Sequence, residues 1–177
     1  MRYGITYQEP MTDSPPPADP VGFDPHDHRA CIEGTVEAVA ARCAAEGLQL
    51  TPVRRRVLEI LLARHRAMGA YEILDRLRDE GLGSQPPVAY RALEFLTKNG
   101  FAHRIEGLNA FAACTDPGHA HDVAFLICTG CGTVAEAPVA PARAALADVA
   151  EAAGFTIART VLEAEGLCPA CTGDRAA

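Results

Sequence analysis

Long apolar stretches are missing from this 177-residue chain. The longest uninterrupted apolar run, Val123 to Cys128, is six residues, against the ~20 a membrane-spanning helix needs. The first twenty residues hold no basic start followed by an apolar stretch, so no secretory signal is expected. No H-E-x-x-H and no glycine-rich phosphate loop occurs, which argues against the commoner zinc-hydrolase and nucleotide chemistries. Membrane-spanning, secreted and collagenous readings fall away. Seven cysteines without a signal point away from disulfides. They point to metal or thiol chemistry in a reducing, cytoplasmic setting. What is present is ordinary globular composition, 49% apolar and 22% charged. The length suits one domain or two small ones.

The net charge of −7 hides an asymmetry. Residues 1–28 carry one basic and five acidic side chains, residues 29–104 twelve and nine, and residues 105–177 three and nine. One basic module therefore lies between two acidic segments, and a locally basic module can meet nucleic acid whatever the overall sign. A modest excess of this kind also arises by chance.

Residues 1–30 hold Pro10, Pro15, Pro16, Pro17, Pro20 and Pro25 and few large apolar side chains, so they read as a disordered tail, His26 and His28 included. From Glu33 the period is helical, with Val36, Val39, Ala40 and Cys43 on one face and Gly47 at the end. Thr51-Pro52 is an N-cap with proline at the first helical position. It opens a helix reaching about Arg66 that turns Val53, Val57, Ile60 and Leu61 inward. A third helix spans about Ala70–Asp79. A fourth opens at Pro86-Pro87, runs to Asn99-Gly100 and buries Ala89, Ala92, Leu93 and Leu96, leaving Tyr90, Arg91, Glu94 and Lys98 opposite. Two short strands, Phe101–Ile105 and Ala110–Cys114, flank a turn at Gly107-Leu108-Asn109. Short helices followed by a hairpin read as a winged helix-turn-helix over 31–113, with the fourth helix as recognition helix.

After a hinge at 114–122, residues 123–177 change character. Strands are expected at Val123–Cys128, Thr133–Ala137 and Phe155–Leu162. A helix is expected from Pro141 to Gly154, with Leu146, Val149 and Ala150 inside. So small a unit needs a metal or a partner subunit for stability. The fold class is α+β: a winged helix followed by a small α/β unit.

Cys128-Thr-Gly-Cys131 and Cys168-Pro-Ala-Cys171 are two C-x-x-C knuckles 36 residues apart. Each can place two thiolates on adjacent corners of a tetrahedron, and four sulfurs suit Zn²⁺ in a closed, structural site. A second group, Cys114, His119, His121, His103 and Glu136, offers thiolate, imidazole and carboxylate. Together they could hold a metal, and the soft sulfur favours zinc. Singly, His103 also reads as a surface hairpin residue, Glu136 as a solvated strand residue and Cys114 as a small buried hydrophobe. A catalytic zinc on His119, His121 and Glu136 is a further alternative. Cys31 and Cys43 lie in an apolar helical pattern and read as inert thiols rather than a redox switch.

Several motifs then fall in one order. They are Leu50-Thr51-Pro52 with Arg54 and Val57-Leu58; Ala70-Tyr71; Pro86-Pro87-x-x-Tyr90-Arg91-Ala92-Leu93 with Phe95-Leu96; and Gly100-Phe101-x-His103. Cys128-x-x-Cys131-Gly132 and Glu163-x-x-Gly166-Leu167-Cys168-x-x-Cys171 follow. Over residues 33–171 the chain resembles the ferric uptake regulator family of bacterial metal-dependent repressors, in its zinc uptake regulator branch. The resemblance implies a DNA-binding winged helix, a dimerisation domain over 123–177 and a homodimer on a double-stranded, palindromic operator. It implies structural zinc at Cys128, Cys131, Cys168 and Cys171, and regulatory zinc at His103, Cys114, His121 and Glu136, hence two zinc ions per protomer. It places Tyr90 and Arg91 against DNA. Arg91 suits a base-edge contact and Arg54, Arg55, Arg56 and Lys98 suit phosphates, although the arginine triplet reads equally as a solvated helix face. Val88-Ala89 departs from the family's Thr-Val and removes a phosphate-contacting hydroxyl. His119 could replace or supplement His121. The His-His-Asp-His run of the iron branch is absent. That absence, with Cys114, favours zinc over an iron- or peroxide-responsive regulator.

Overall fold

The computed structural model describes residues 28–63, 66–117 and 123–173, leaving aside the side chains of residues 28–31 and Pro141. The tail up to residue 27, and His119 and His121 of the hinge, lie outside the described residues. Four helices come first: α1 (His28–Ala45), α2 (Pro52–Leu62), α3 (Ala70–Asp79) and α4 (Pro86–Lys98). The hairpin β1 (Ala102–Ile105) and β2 (Ala110–Ala113) follows. The second unit comprises β3 (Val123–Cys128), β4 (Val134–Pro138), α5 (Ala140–Ala152), β5 (Glu163–Gly166) and α6 (Pro169–Gly173).

The helical period decides the first core. Val36, Val39 and Cys43 of α1, Val57, Ile60 and Leu61 of α2, Ile73, Leu74 and Leu77 of α3, and Ala89, Ala92, Leu93 and Leu96 of α4 are all buried. The Thr51 hydroxyl accepts the Arg54 N–H, which caps α2. Gly100, at φ +71°, supplies the left-handed residue that lets α4 stop and β1 begin. α1 starts at His28, ahead of Glu33 where the period becomes legible.

α2 ends at Leu62, short of the expected Arg66. Two isolated bridges account for this. Met68 exchanges both backbone hydrogen bonds with Phe111 of β2, and Arg66 bridges Thr133 just before β4. Residues 66–68 must therefore run extended and cannot continue the helix.

The second sheet has the order β4-β3-β5, with β3 antiparallel to β4 and parallel to β5. The expected strand over Phe155–Leu162 is not formed; the pairing falls on Glu163–Gly166 instead. The cysteine knuckles set that register. Thr129 N–H donates to the Gly166 carbonyl at 2.8 Å and Cys168 N–H to Cys128 Sγ at 3.3 Å, so residues 163–166 lie abreast of β3. Residues 155–162 then run before the paired stretch, and Phe155 is 67% exposed.

α5 also departs from expectation. Ala150 is buried, but Leu146 and Val149 face outward. Phe155 and Val161 are exposed large apolar side chains as well, which no other described residue covers. Ile105 and Ala112 of the hairpin pack with Phe125, Ile127 and Val134 of the sheet in a smaller core that joins the two units. Among the described residues, no helix is long and apolar enough to cross a membrane.

Leu96 is fully buried in the helical core, on α4, which packs against α2, α3 and β1. Leu96→Ala should lower stability by about 2–5 kcal/mol, since the cavity cannot collapse within so tight a set of helices. Urea unfolding followed by circular dichroism measures it.

Candidate metal centre and nucleic-acid interface

The four knuckle cysteines converge. Their sulfurs all lie within 4.8 Å of one another, and Cys131 Sγ stands 3.8 Å from Cys168 Sγ. A tetrahedral zinc with ~2.3 Å Zn–S bonds requires sulfurs ~3.8 Å apart. Backbone N–H groups of Cys168 and Cys131 hold the Cys128 thiol down at about 6, as a thiolate. The neighbouring sulfurs, Cys168 first, push Cys171 up to about 12, because a further negative charge there is opposed. Four such sulfurs cannot all ionise without a cation among them, so the donor set fits Zn²⁺. Gly130 suits the close approach: a Cβ there would stand 3.0 Å from Cys171 Sγ and crowd it.

The second cluster forms at the seam between the units. His103 of β1, Cys114 just after β2 and Glu136 of β4 place ligand atoms within 4.8 Å of one another. His103 Nε2 lies 3.3 Å from Glu136 Oε1, and the imidazole ring sits 5.3 Å from that of Phe125, tilted by 56°. Cys114 is fully buried and Glu136 is 8% exposed. Burial first, then the Glu136 charge, pushes the Cys114 thiol up to about 12. The mixed sulfur, nitrogen and oxygen set fits zinc better than a hard cation. Of the residues proposed for this site, His103, Cys114 and Glu136 are brought together, while His121 and its alternative His119 lie outside the described residues.

Thr115 is a partner the motif reading does not provide. Its N–H donates to Glu136 Oε1 at 3.3 Å and its hydroxyl to Oε2 at 2.6 Å, so the carboxylate is held from outside the cluster. The pair is twenty-one positions apart, and no local signal links a hinge threonine to a strand glutamate. Arg42 of α1 donates to the Pro117 carbonyl at 2.7 Å and stacks over Phe101, tying the first helix to the hinge.

Tyr90, Arg91, Glu94 and Lys98 are exposed along one face of α4. Tyr71, at the start of α3, is 65% exposed and joins Tyr90, Glu94, Arg104 and Asn109 around a cleft of about 410 Å³ between α4 and the hairpin. The sequence marks Tyr71 as a motif residue but not as a surface contact. The arginine triplet is engaged within the protein. Arg54 lies over the Phe95 ring at 3.9 Å and donates to the Gln49 carbonyl. Arg55 pairs with Glu59, and Arg56 with Glu59 and both carboxylate oxygens of Glu80. Cys43 is buried, which raises its thiol and suits an inert packing role.

The ferric uptake regulator family matches residues 45–165. The chain is 37% identical over 132 residues to the zinc uptake regulation proteins of Escherichia coli (strain K12) and Shigella flexneri, covering 73% of this chain and 76% of theirs. This chain belongs to the ferric uptake regulator family. Among solved structures of that family it is similar to a zinc uptake regulator complexed with zinc and DNA. The TM-score is 0.77 at 33% identity, over 82% of this chain and 98% of that one. It is also similar to the holo form of XcZur, with a TM-score of 0.71 at 40% identity, over 79% of this chain and 98% of that one.

A thiol must lose its proton to ligate, so if zinc binds at the seam through Cys114, its uptake should release one proton from that thiol. Between pH 7 and 8, far below the pKa of about 12, apparent affinity should fall about tenfold for each unit of acidification. Competition titration with a zinc dye at several pH values measures this; a flat profile would show that the thiol is not a ligand.

Proposed function

We propose that this chain is a zinc-responsive, DNA-binding repressor of zinc-uptake genes, acting as a homodimer. The observation that carries the reading is the buried His103, Cys114 and Glu136 set at the seam between a winged helix and a second, sheet-based unit. Family membership supports a regulator rather than an enzyme. The relatives named as zinc uptake regulators, and the sulfur among the seam ligands, support zinc over iron.

We take residues 31–113 as the DNA-binding unit, 114–122 as the hinge and 123–177 as the dimerisation unit. Two zinc ions per protomer are the proposed load. Cys128, Cys131, Cys168 and Cys171 would hold the structural ion. His103, Cys114 and Glu136, with His121 as the fourth ligand, would hold the regulatory one. Bound there, Zn²⁺ supplies the positive charge that lets a thiolate and a carboxylate remain ionised together. His103 belongs to the hairpin, Cys114 to the hinge and Glu136 to the sheet, so ligands from three segments must keep one relative placement. That placement fixes how far apart, and at what tilt, the two α4 helices of a dimer meet successive major grooves. The exposed Leu146, Val149, Phe155 and Val161 are the apolar surface that a second copy would cover.

On DNA, Arg91 is the proposed base-edge contact, since its guanidinium can bond a guanine bidentately. Tyr90 is placed for a thymine methyl or a phosphate, and Lys98 for a phosphate. Arg54 suits a phosphate by sequence, but its stacking on Phe95 gives it a structural task. Coupling is reciprocal: operator DNA must tighten zinc by the factor with which zinc tightens DNA.

Arg91→Ala should cost about 1–3 kcal/mol of operator binding and relax base preference, with zinc content and dimer unchanged. Cys114→Ser should remove one zinc per protomer and zinc-dependent DNA binding, while the protein stays folded. Elemental analysis with fluorescence anisotropy on labelled duplex tests both. An operator preference untouched by Arg91→Ala, or two zinc ions retained by Cys114→Ser, would overturn the corresponding role.

A further inference from the structure

The tip of the hairpin is gripped by the second unit. Glu163, the first residue of β5, accepts two adjacent backbone N–H groups of the turn: Glu106 N–H on Oε1 at 2.6 Å and Gly107 N–H on Oε2 at 2.8 Å. Two consecutive amides facing the two oxygens of one carboxylate form a charge-assisted, directional contact. The turn is shaped for it. A Cβ on Gly107 would stand 2.8 Å from Glu163 Oε2, so only glycine leaves the oxygen in place. The Glu106 side chain turns the other way, to Arg159 of the second unit and to Arg104 of β1.

We infer that Glu163 is a positioning residue for DNA binding: its carboxylate clips the hairpin tip to the sheet. The inference rests on the repressor reading above. His103 sits near the root of β1 and Glu106-Gly107 just beyond its other end. The proposed metal ligands hold the hairpin near its root, and Ile105 packs it on the sheet by apolar contact, which has no direction of its own. The two hydrogen bonds at the tip add direction, and α4, which runs into β1 through Gly100, takes that direction with it. The clip also gives the cysteine knuckles a reach beyond their own unit. The contacts Thr129 N–H to Gly166 O and Cys168 N–H to Cys128 Sγ set β5 beside β3, and so set where Glu163 stands.

The test uses the full-length, zinc-loaded protein and a duplex selected by the wild type from a random-sequence library. Glu163→Ala and Gly107→Ala should each weaken binding about tenfold, within the range usual for coupling between sites. Zinc content and dimer mass should not change. Glu163→Gln should lie between, because a carboxamide oxygen can accept one N–H but its nitrogen cannot accept the other. Adding Gly107→Ala to Glu163→Ala should cost nothing more, since the alanine methyl group then meets no carboxylate. Amide NMR of the DNA-free protein gives a separate readout, in which the Glu106 and Gly107 resonances should shift in Glu163→Ala. Wild-type DNA affinity in Glu163→Ala would overturn the inference. So would a Gly107→Ala loss of equal size in both backgrounds, which would mean a direct effect on DNA. If the wild type itself shows no zinc-dependent DNA binding, the repressor reading fails. The amide resonances then still decide the clip, and unmoved signals would refute it.

Discussion

A thiol buried beside a carboxylate is held from ionising, and the proposed arrangement of both units depends on how that is resolved. Glu136 and Cys114 are both withdrawn from water, and the carboxylate charge raises the thiol further. Thr115 supplies partial compensation with two donors to the carboxylate. A divalent cation held by His103, Cys114 and Glu136, as proposed, would resolve the rest. These side chains come from three separate segments, so the electrostatic demand of one small volume would become a constraint on the orientation of whole units.

The surrounding contacts amplify that constraint. Ile105 and Phe125 bring the hairpin and sheet into apolar contact, Arg66 bridges to Thr133, and Arg42 holds the Pro117 carbonyl. None of these is large alone. Together they favour one way for the units to meet without enforcing it, and the similarity to the zinc uptake regulator complexed with zinc and DNA, and to holo XcZur, covers 82% and 79% of this chain. The closed four-cysteine site has a separate task. It joins the C-terminal knuckle to β3 and thereby chooses which residues form β5.

Much of this was legible because it is local. The stripes of α2, α3 and α4 follow the 3.6-residue period, and Thr51 and Gly100 mark their ends by cap chemistry. The knuckles announce themselves by spacing. The misread parts are those set by distant partners. Apolar residues at 155–162 suggested a strand, but pairing obeys the register imposed by the knuckles and falls on the acidic Glu163–Gly166. Leu146 and Val149 had a core-like period, yet they face outward, because periodicity reports an apolar face and not which chain covers it. Thr115 left no signal, and Glu163 stood in a motif without a role, since each acts on a group far along the chain. Arg54 reads as a phosphate contact by sequence, and no local signal places it over the Phe95 ring.

The central claim is that zinc at the seam converts a range of orientations into one. The most direct measurement is the distance between the two recognition helices of the DNA-free dimer. Pulsed electron resonance can report it through a noncanonical spin-labelled residue at the exposed Glu94 position, as zinc is raised from one to two per protomer. The account predicts a broad distribution at one zinc that collapses to a single narrow peak at two. The same distribution in both states would contradict it.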